Sequence, residues 1–149
     1  MLIDRIATLA LTPPVCVESG DSVENVIEKI QSNKVGCVLV LTGERLAGII
    51  TERDVLLKIV ARDVPITAKV DAFMTANPDS LSPEDTVGDA VNLMNERRFR
   101  HIPIVDKDGG LHGILSVRDV INLIAESFPE QVLNLPPRPH QKMETPEGG

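Results

Sequence analysis

Apolar residues recur along this chain with two periods. Val23, Val26, Ile27 and Ile30 stand at i, i+3, i+4 and i+7, and Val87, Ala90, Val91 and Met94 repeat that spacing at an offset of 64. Each set forms one face of an amphipathic helix. Asp21-Ser22 and Asp85-Thr86 precede the two runs and supply side-chain oxygens that can cap them. The pattern then becomes continuously apolar, Gly36 to Leu41 and Ile102 to Val105, as in a buried strand. Turns follow at Thr42-Gly43-Glu44 and at Asp106-Lys107-Asp108-Gly109-Gly110. A second strand is predicted through Leu46 to Ile50 and Leu111 to Leu115. A second helix starts at Thr51 or Ser116 and is expected to bury Val55, Leu56, Ile59 and Val60, or Val120, Ile121 and Ile124.

The chain is therefore duplicated. Residues 48–60 and 113–125 share six identities in thirteen positions at an offset of 65, and the longer second turn accounts for the extra residue. With leading strands at Val15 to Val17 and Ser80 to Ser82, each repeat reads β-α-β-β-α. This is an α/β (α+β) fold in which each repeat has a small three-stranded sheet and two helices. One such unit cannot cover both faces of its sheet, so the two are expected to pack as one pseudo-symmetric globule. The repeats occupy 10–62 and 79–126, joined by 63–78. A short helix is predicted over Lys69 to Ala76, stopped by Asn77-Pro78. Residues 127–149 form a Pro-rich C-terminal tail in which Pro136, Pro137 and Pro139 favour extended backbone. The tail reads as solvated, or as a segment whose Phe128, Val132, Leu133 and Leu135 dock on a partner subunit.

Composition narrows the function. The 149 residues carry 15 Lys+Arg against 22 Asp+Glu, a net charge of -7, and the only aromatic residues are three Phe. A nucleic-acid binder needs a basic face and bases need stacking platforms, so neither is expected. The longest apolar run, Val35 to Leu41, has seven residues around one Gly. A membrane-spanning helix needs about 20. The start MLIDRIATLALTPP lacks the basic region and apolar length of a signal peptide, so a cytoplasmic location is expected. Cys16 and Cys37 fit neither a disulfide framework nor a metal motif and read as small buried hydrophobes. His101, His112 and His140 are dispersed, so no metal site is expected. No nucleophile–base–acid set, phosphate-binding glycine loop or dinucleotide fingerprint appears, and the sequence supports no enzyme activity.

The chemistry that remains lies where the third strand of each repeat meets its helix. Thr51-x-x-Asp54 and Ser116-x-x-Asp119 are close to capping boxes, in which hydroxyl and carboxylate satisfy free helix N–H groups. The same geometry suits a ligand. A strand ending at a helix N-terminus directs N–H groups into a crevice where a phosphate fits. The hydroxyl can bond that phosphate, the carboxylate can accept both hydroxyls of a ribose, and Arg53 or Arg118 can add charge-assisted bonds.

Gly-hydrophobic-x-Thr/Ser-x-x-Asp, closing a helix-strand-strand-helix repeat and present twice, resembles the cystathionine-β-synthase (CBS) domain pair, or Bateman module. Arg98-Phe99-Arg100-His101-Ile102-Pro103-Ile104-Val105-Asp106 is similar to that family's second strand and its approach. The resemblance covers residues 10–126. It implies a non-catalytic regulatory module that binds an adenine nucleotide (AMP, ADP or ATP) or S-adenosylmethionine between the repeats. Mg²⁺ can accompany the ligand, and no catalytic cofactor is implied. Carried onto this chain, the first crevice uses Thr51, Asp54, Arg100, His101, Ile102, Pro103 and Arg118. The second uses Ser116, Asp119, Gly36, Cys37, Val38 and Arg53. Having Arg100 and His101 where the other has Gly36 and Cys37, the first crevice is expected to prefer polyphosphates. The resemblance also implies a homodimer formed through helices and an effector protein that receives the signal. The alternative is a structural interaction module with vacant sites, in which Thr51, Asp54, Ser116 and Asp119 serve only as caps.

Overall fold

The computed structural model describes residues 1–127; the expected docking residues Phe128, Val132, Leu133 and Leu135 lie outside the described residues. The first repeat contains β1 (Cys16–Glu18), α1 (Val23–Asn33), β2 (Cys37–Thr42), β3 (Arg45–Thr51) and α2 (Glu52–Asp54). The helix begun by α2 continues as a π-helical turn, Val55–Ile59, and a 3-10 turn, Val60–Arg62. The joining segment holds a 3-10 turn, Val70–Ala72, and β4 (Thr75–Ala76). The second repeat contains α3 (Val87–Arg97), β5 (His101–Val105), β6 (Leu111–Ser116) and α4 (Val117–Ser127). Both predicted caps of the leading helices form: Ser22 Oγ accepts from Asn25 N, and Thr86 and Asp89 bond each other's backbone N–H. Lys34 and Arg98 then end α1 and α3 in the left-handed conformation.

The α+β architecture is as read from the sequence, but the two sheets are unequal. The first has the order β1-β2-β3-β4, with β1 parallel to β2 and the other pairs antiparallel. The second has only β5 and β6, where three strands were expected. Its leading segment, expected as a strand over Ser80 to Ser82, makes one parallel bridge, Leu81 to Ile104. Two prolines explain the loss. Leu81 N donates to Pro103 O and Val105 N donates to Leu81 O. The next bond on one side needs an N–H from Pro83 and on the other an N–H from Pro103, and proline has none.

The joining segment departs from its predicted helix for a related reason. Val23 N donates to Ala68 O (2.8 Å), Glu24 N to Ile66 O (2.9 Å) and Val70 N to Asp21 O (2.8 Å). These bonds tie the segment to the start of α1, and the pairing of β4 with β3 then takes the backbone groups that further helical turns would need, so only Val70–Ala72 coils. The N-terminus does the same for the other repeat. Gly88 N donates to Leu2 O (2.9 Å), Val87 N to Asp4 O (2.9 Å) and Ile6 N to Asp85 O (2.8 Å). Leu2, Asp4 and Ile6 thus stand 64 residues before Ile66, Ala68 and Val70 and play the same parts. The start of the chain completes the second repeat, and the joining segment completes the first.

Two cores follow. One gathers Val17, Val23, Val26, Val38, Val40, Ile50, Val55, Ile59 and Val70; the other gathers Ile6, Val87, Ala90, Ile102, Ile104, Leu115 and Val120. Cys37, Leu39 and Ile114 form a third cluster that joins β2 to β6. The second helices bury less than expected. Val55, Ile59 and Val120 are buried, whereas Leu56 is 59% exposed, Val60 58%, Ile121 58% and Ile124 38%. Val91, expected on the buried face of α3, is also exposed. Sheets this narrow meet each helix along a single stripe, and positions beside the stripe are left outside.

Ile6 is fully buried among residues of the second core. Ile6→Ala is therefore expected to cost about 2–5 kcal/mol in a urea denaturation, against well under about 1 kcal/mol for Ile3→Ala. Equal small losses would show that the N-terminal segment does not belong to the second core.

Candidate functional site

Both strand-to-helix corners close as reciprocal caps. Thr51 leaves β3 extended; its Oγ1 accepts from Asp54 N (3.1 Å) while Asp54 Oδ2 accepts from Thr51 N (3.0 Å). Ser116 Oγ accepts from Asp119 N (3.1 Å), and Asp119 Oδ2 accepts from Ser116 N (2.8 Å). Each cap uses one carboxylate oxygen and leaves the other for a further partner. Asp54 Oδ1 lies 3.4 Å from Lys58 Nζ, which also donates to Phe73 O at 3.1 Å. Among the described residues no hydrogen bond or ion pair engages Asp119 Oδ1.

The strand starts stand beside these corners. Register pairs Cys37 with Thr51 and His101 with Ser116. Glu52 N donates to Gly36 O and Val117 N donates to Arg100 O, both at 3.0 Å. Gly36 is therefore the counterpart of Arg100, and Cys37 of His101. Each strand start adjoins the corner of its own repeat, so Arg100 and His101, which the family resemblance groups with Thr51 and Asp54, sit next to Val117 and Ser116. His101 also reaches the other repeat. A Cβ added to Gly36 would stand 3.3 Å from Glu52 Oε1 and 3.4 Å from His101 Cε1. Glycine at 36 leaves room for Glu52 of its own repeat and His101 of the other to converge on its backbone.

The side chains differ in what they can offer. Val38 and Ile102 are fully buried in the two cores, and Pro103 is buried as well. Cys37 is buried, and its thiol is pushed up to about 12 by that burial and by nearby Cys16, so it stays a neutral, unreactive thiol. These four residues can present only main chain to a ligand. Arg53, Arg100 and Arg118 are exposed and free to reach a charged group. Burial holds the His101 imidazole below its ordinary pKa; Asp119 and Glu52 pull it up while Arg100 pushes it down. Sequence reasoning passed over Glu52 and Lys58. The signal was the offset of 65, which sets Val117 and Leu123 in their places.

Hydroxyl, carboxylate, imidazole and guanidinium groups around a backbone-lined junction suit the binding of a polar, anionic molecule. An open cavity of about 890 Å³, lined by Ile6, Leu9, Leu11, Ser82, Asp106 and His112 among others, lies apart and contains none of the corner residues. Among the described residues no cluster of three or more His, Cys, Asp or Glu could hold a metal ion, and no helix is long and apolar enough to cross a membrane.

Known proteins are similar to this chain in sequence and fold. The CBS domain family model matches residues 6–61 and 70–126. The CBS domain-containing protein CBSCBSPB3 of Arabidopsis thaliana is 31% identical over 152 residues, which cover 89% of this chain and 26% of the relative. The chain thus spans only a minor part of the length of that curated relative. A CBS-domain-containing protein of Agrobacterium tumefaciens is 31% identical with a TM-score of 0.66, covering 74% of this chain and 88% of that one. A CBS domain protein of Pyrobaculum aerophilum, solved complexed with AMP, is 25% identical with a TM-score of 0.74, covering 83% of this chain and 99% of that one. Matched twice over most of its described length, the chain belongs to the CBS domain family and carries two copies of the domain.

Proposed function

We propose that this chain is a non-catalytic regulatory module that binds an adenine nucleotide where its two CBS repeats meet. The observation that carries the reading is the duplicated hydroxyl–carboxylate corner, placed beside a junction where Gly36, Glu52 and His101 converge. AMP in the Pyrobaculum aerophilum relative supports it. Asp54 and Asp119, with Thr51 and Ser116, are the groups for ribose hydroxyls and the first phosphate. Arg53, Arg100, Arg118 and His101 face the phosphates. The main chain of Gly36 to Val38 and of Ile102 to Pro103 meets the base. ATP or S-adenosylmethionine would engage the same corners. Mg²⁺ accompanying a polyphosphate is held by the phosphates themselves.

The signal leaves through contacts with other chains. Leu56, Leu57 and Val60 on one helix, and Ile121 and Ile124 on the other, are exposed apolar residues suited to a helical homodimer. A rearrangement of that dimer in a cytoplasmic setting would pass ligand state to an effector. The competing reading, a structural module with vacant sites, is favoured by one observation: both corners are already closed caps.

Thermal melts of ligand-free protein separate these readings. AMP at 100 times its dissociation constant is expected to add about 2.7 kcal/mol of stability. The double variant Asp54→Asn/Asp119→Asn is expected to lose at least about tenfold in affinity, because charge-assisted bonds to the sugar are weakened. Unchanged binding in that variant favours a ligand site elsewhere, and no stabilisation by any adenosine compound favours vacant corners.

Proton linkage gives a separate check. The depressed His101 pKa means that neutral imidazole supports the ligand-free fold above the ordinary value of about 6.5. That support is lost as pH falls through the lowered value. A phosphate beside His101 reverses the shift, so AMP binding takes up a proton and tightens as pH falls from about 8 to about 6. Calorimetry in buffers of different ionisation enthalpy should show a larger uptake in wild type than in His101→Gln. Equal uptake in both would place His101 away from the phosphate.

A further inference from the structure

We propose that Lys58 decides which of the two corners receives the adenosine ligand: it engages Asp54 Oδ1, the oxygen a ribose would need, and leaves the Ser116–Asp119 corner as the receiving one. This inference rests on the nucleotide reading above and adds an order between its two sites.

The first ground is the use made of each carboxylate. A ribose diol is best held by both oxygens of one carboxylate. In each corner Oδ2 is shared with the cap, so acceptance of the sugar depends on Oδ1. Asp54 Oδ1 faces the Lys58 ammonium at 3.4 Å, and Phe73 O holds that ammonium in place at 3.1 Å. The lysine is thus anchored from two sides, one on its own helix and one on the joining segment. Its counterpart in the second repeat is Leu123, which carries no ammonium. Asp119 Oδ1 therefore has no lysine in the corresponding place.

The second ground is charge at the mouth of each corner. The first residue of α2 is Glu52, whose carboxylate reaches Gly36, and the strand start beside it offers only Gly36 and Cys37. The first residue of α4 is Val117, and the strand start beside it offers Arg100 and His101. A phosphate approaching Thr51 meets the Glu52 carboxylate of that corner, with the His101 imidazole beside it. One approaching Ser116 finds Val117 where the other corner has Glu52, and the Arg100 guanidinium on the adjoining strand start. Attraction for the phosphate and availability of the carboxylate select the same corner. Strand register sets Arg100 and His101 beside the Ser116–Asp119 corner of their own repeat.

The test is calorimetric titration of the full chain with AMP in wild type, Asp54→Asn, Asp119→Asn and Lys58→Leu. Lys58→Leu installs the residue found at the equivalent place. Lys58→Met is a second variant that keeps the side-chain length and is used if melting shows Lys58→Leu to be misfolded. Wild type is expected to bind one AMP per chain. Asp119→Asn should weaken that event by at least about tenfold, and Asp54→Asn by less than about threefold. Either Lys58 variant should add a second binding event. Two equivalent events in wild type, loss of binding in Asp54→Asn but not in Asp119→Asn, or a single unchanged event in both lysine variants would each overturn the proposal while leaving the nucleotide reading intact. Absence of AMP binding to every variant overturns both.

Discussion

The first N–H groups of a helix have no partners inside it, and this chain meets that need with a hydroxyl and a carboxylate three residues apart. It does so at Thr51 and Asp54, at Thr86 and Asp89, and at Ser116 and Asp119. The motif by itself is therefore not a site. What distinguishes the first and last is location. They end strands that run beside the junction of the repeats, whereas the middle one lies under the N-terminal segment, where Leu2 and Asp4 accept from the following residues. A capping carboxylate has a second oxygen, and what stands next to that oxygen separates a finished helix end from a binding corner.

The duplicated fold is held together by exchange rather than by two self-sufficient halves. The N-terminal segment carries Ile6 into the second core, and the joining segment carries Val70 into the first. Cys37, Leu39 and Ile114 then join the sheets directly. Burying these side chains contributes on the order of 2 kcal/mol each. Moving the repeats apart would expose the Cys37, Leu39 and Ile114 cluster that lies between them, which favours small adjustments over separation.

Much of this was legible in the sequence. Helical spacing identified α1 and α3, the continuous apolar runs identified β2 and β5, and the offset of 65 identified both corners. The failures have specific causes. Periodicity gives the face of a helix but not the width of what it packs on, so Leu56, Val60, Ile121 and Ile124 were placed inside. Local propensity predicted a helix over Lys69 to Ala76 because the competing hydrogen bonds come from β3, far away in sequence. The missing third strand of the second sheet was written in Pro83 and Pro103, but only the register shows which N–H groups a ladder would have needed. For the site, residue types were readable and their contacts within each repeat were not. Which strand start faces which corner depends on pairing, and the counterparts Lys58 and Leu123 gain meaning only once Asp54 Oδ1 is seen to be engaged.

The exchange of segments also orders how the molecule can be assembled. Leu2 to Ile6 leave a ribosome well before their hydrogen-bonding partners in Asp85 to Gly88 and their apolar neighbours as far along as Val120. The first repeat has its covering segment within reach much sooner, at Ile66 to Val70. Closing so distant a contact is slow compared with local structure. Leu2, Ile3 and Ile6 must therefore wait, open to solvent, until the second repeat has been made. A segment made before the first repeat is set in place after it.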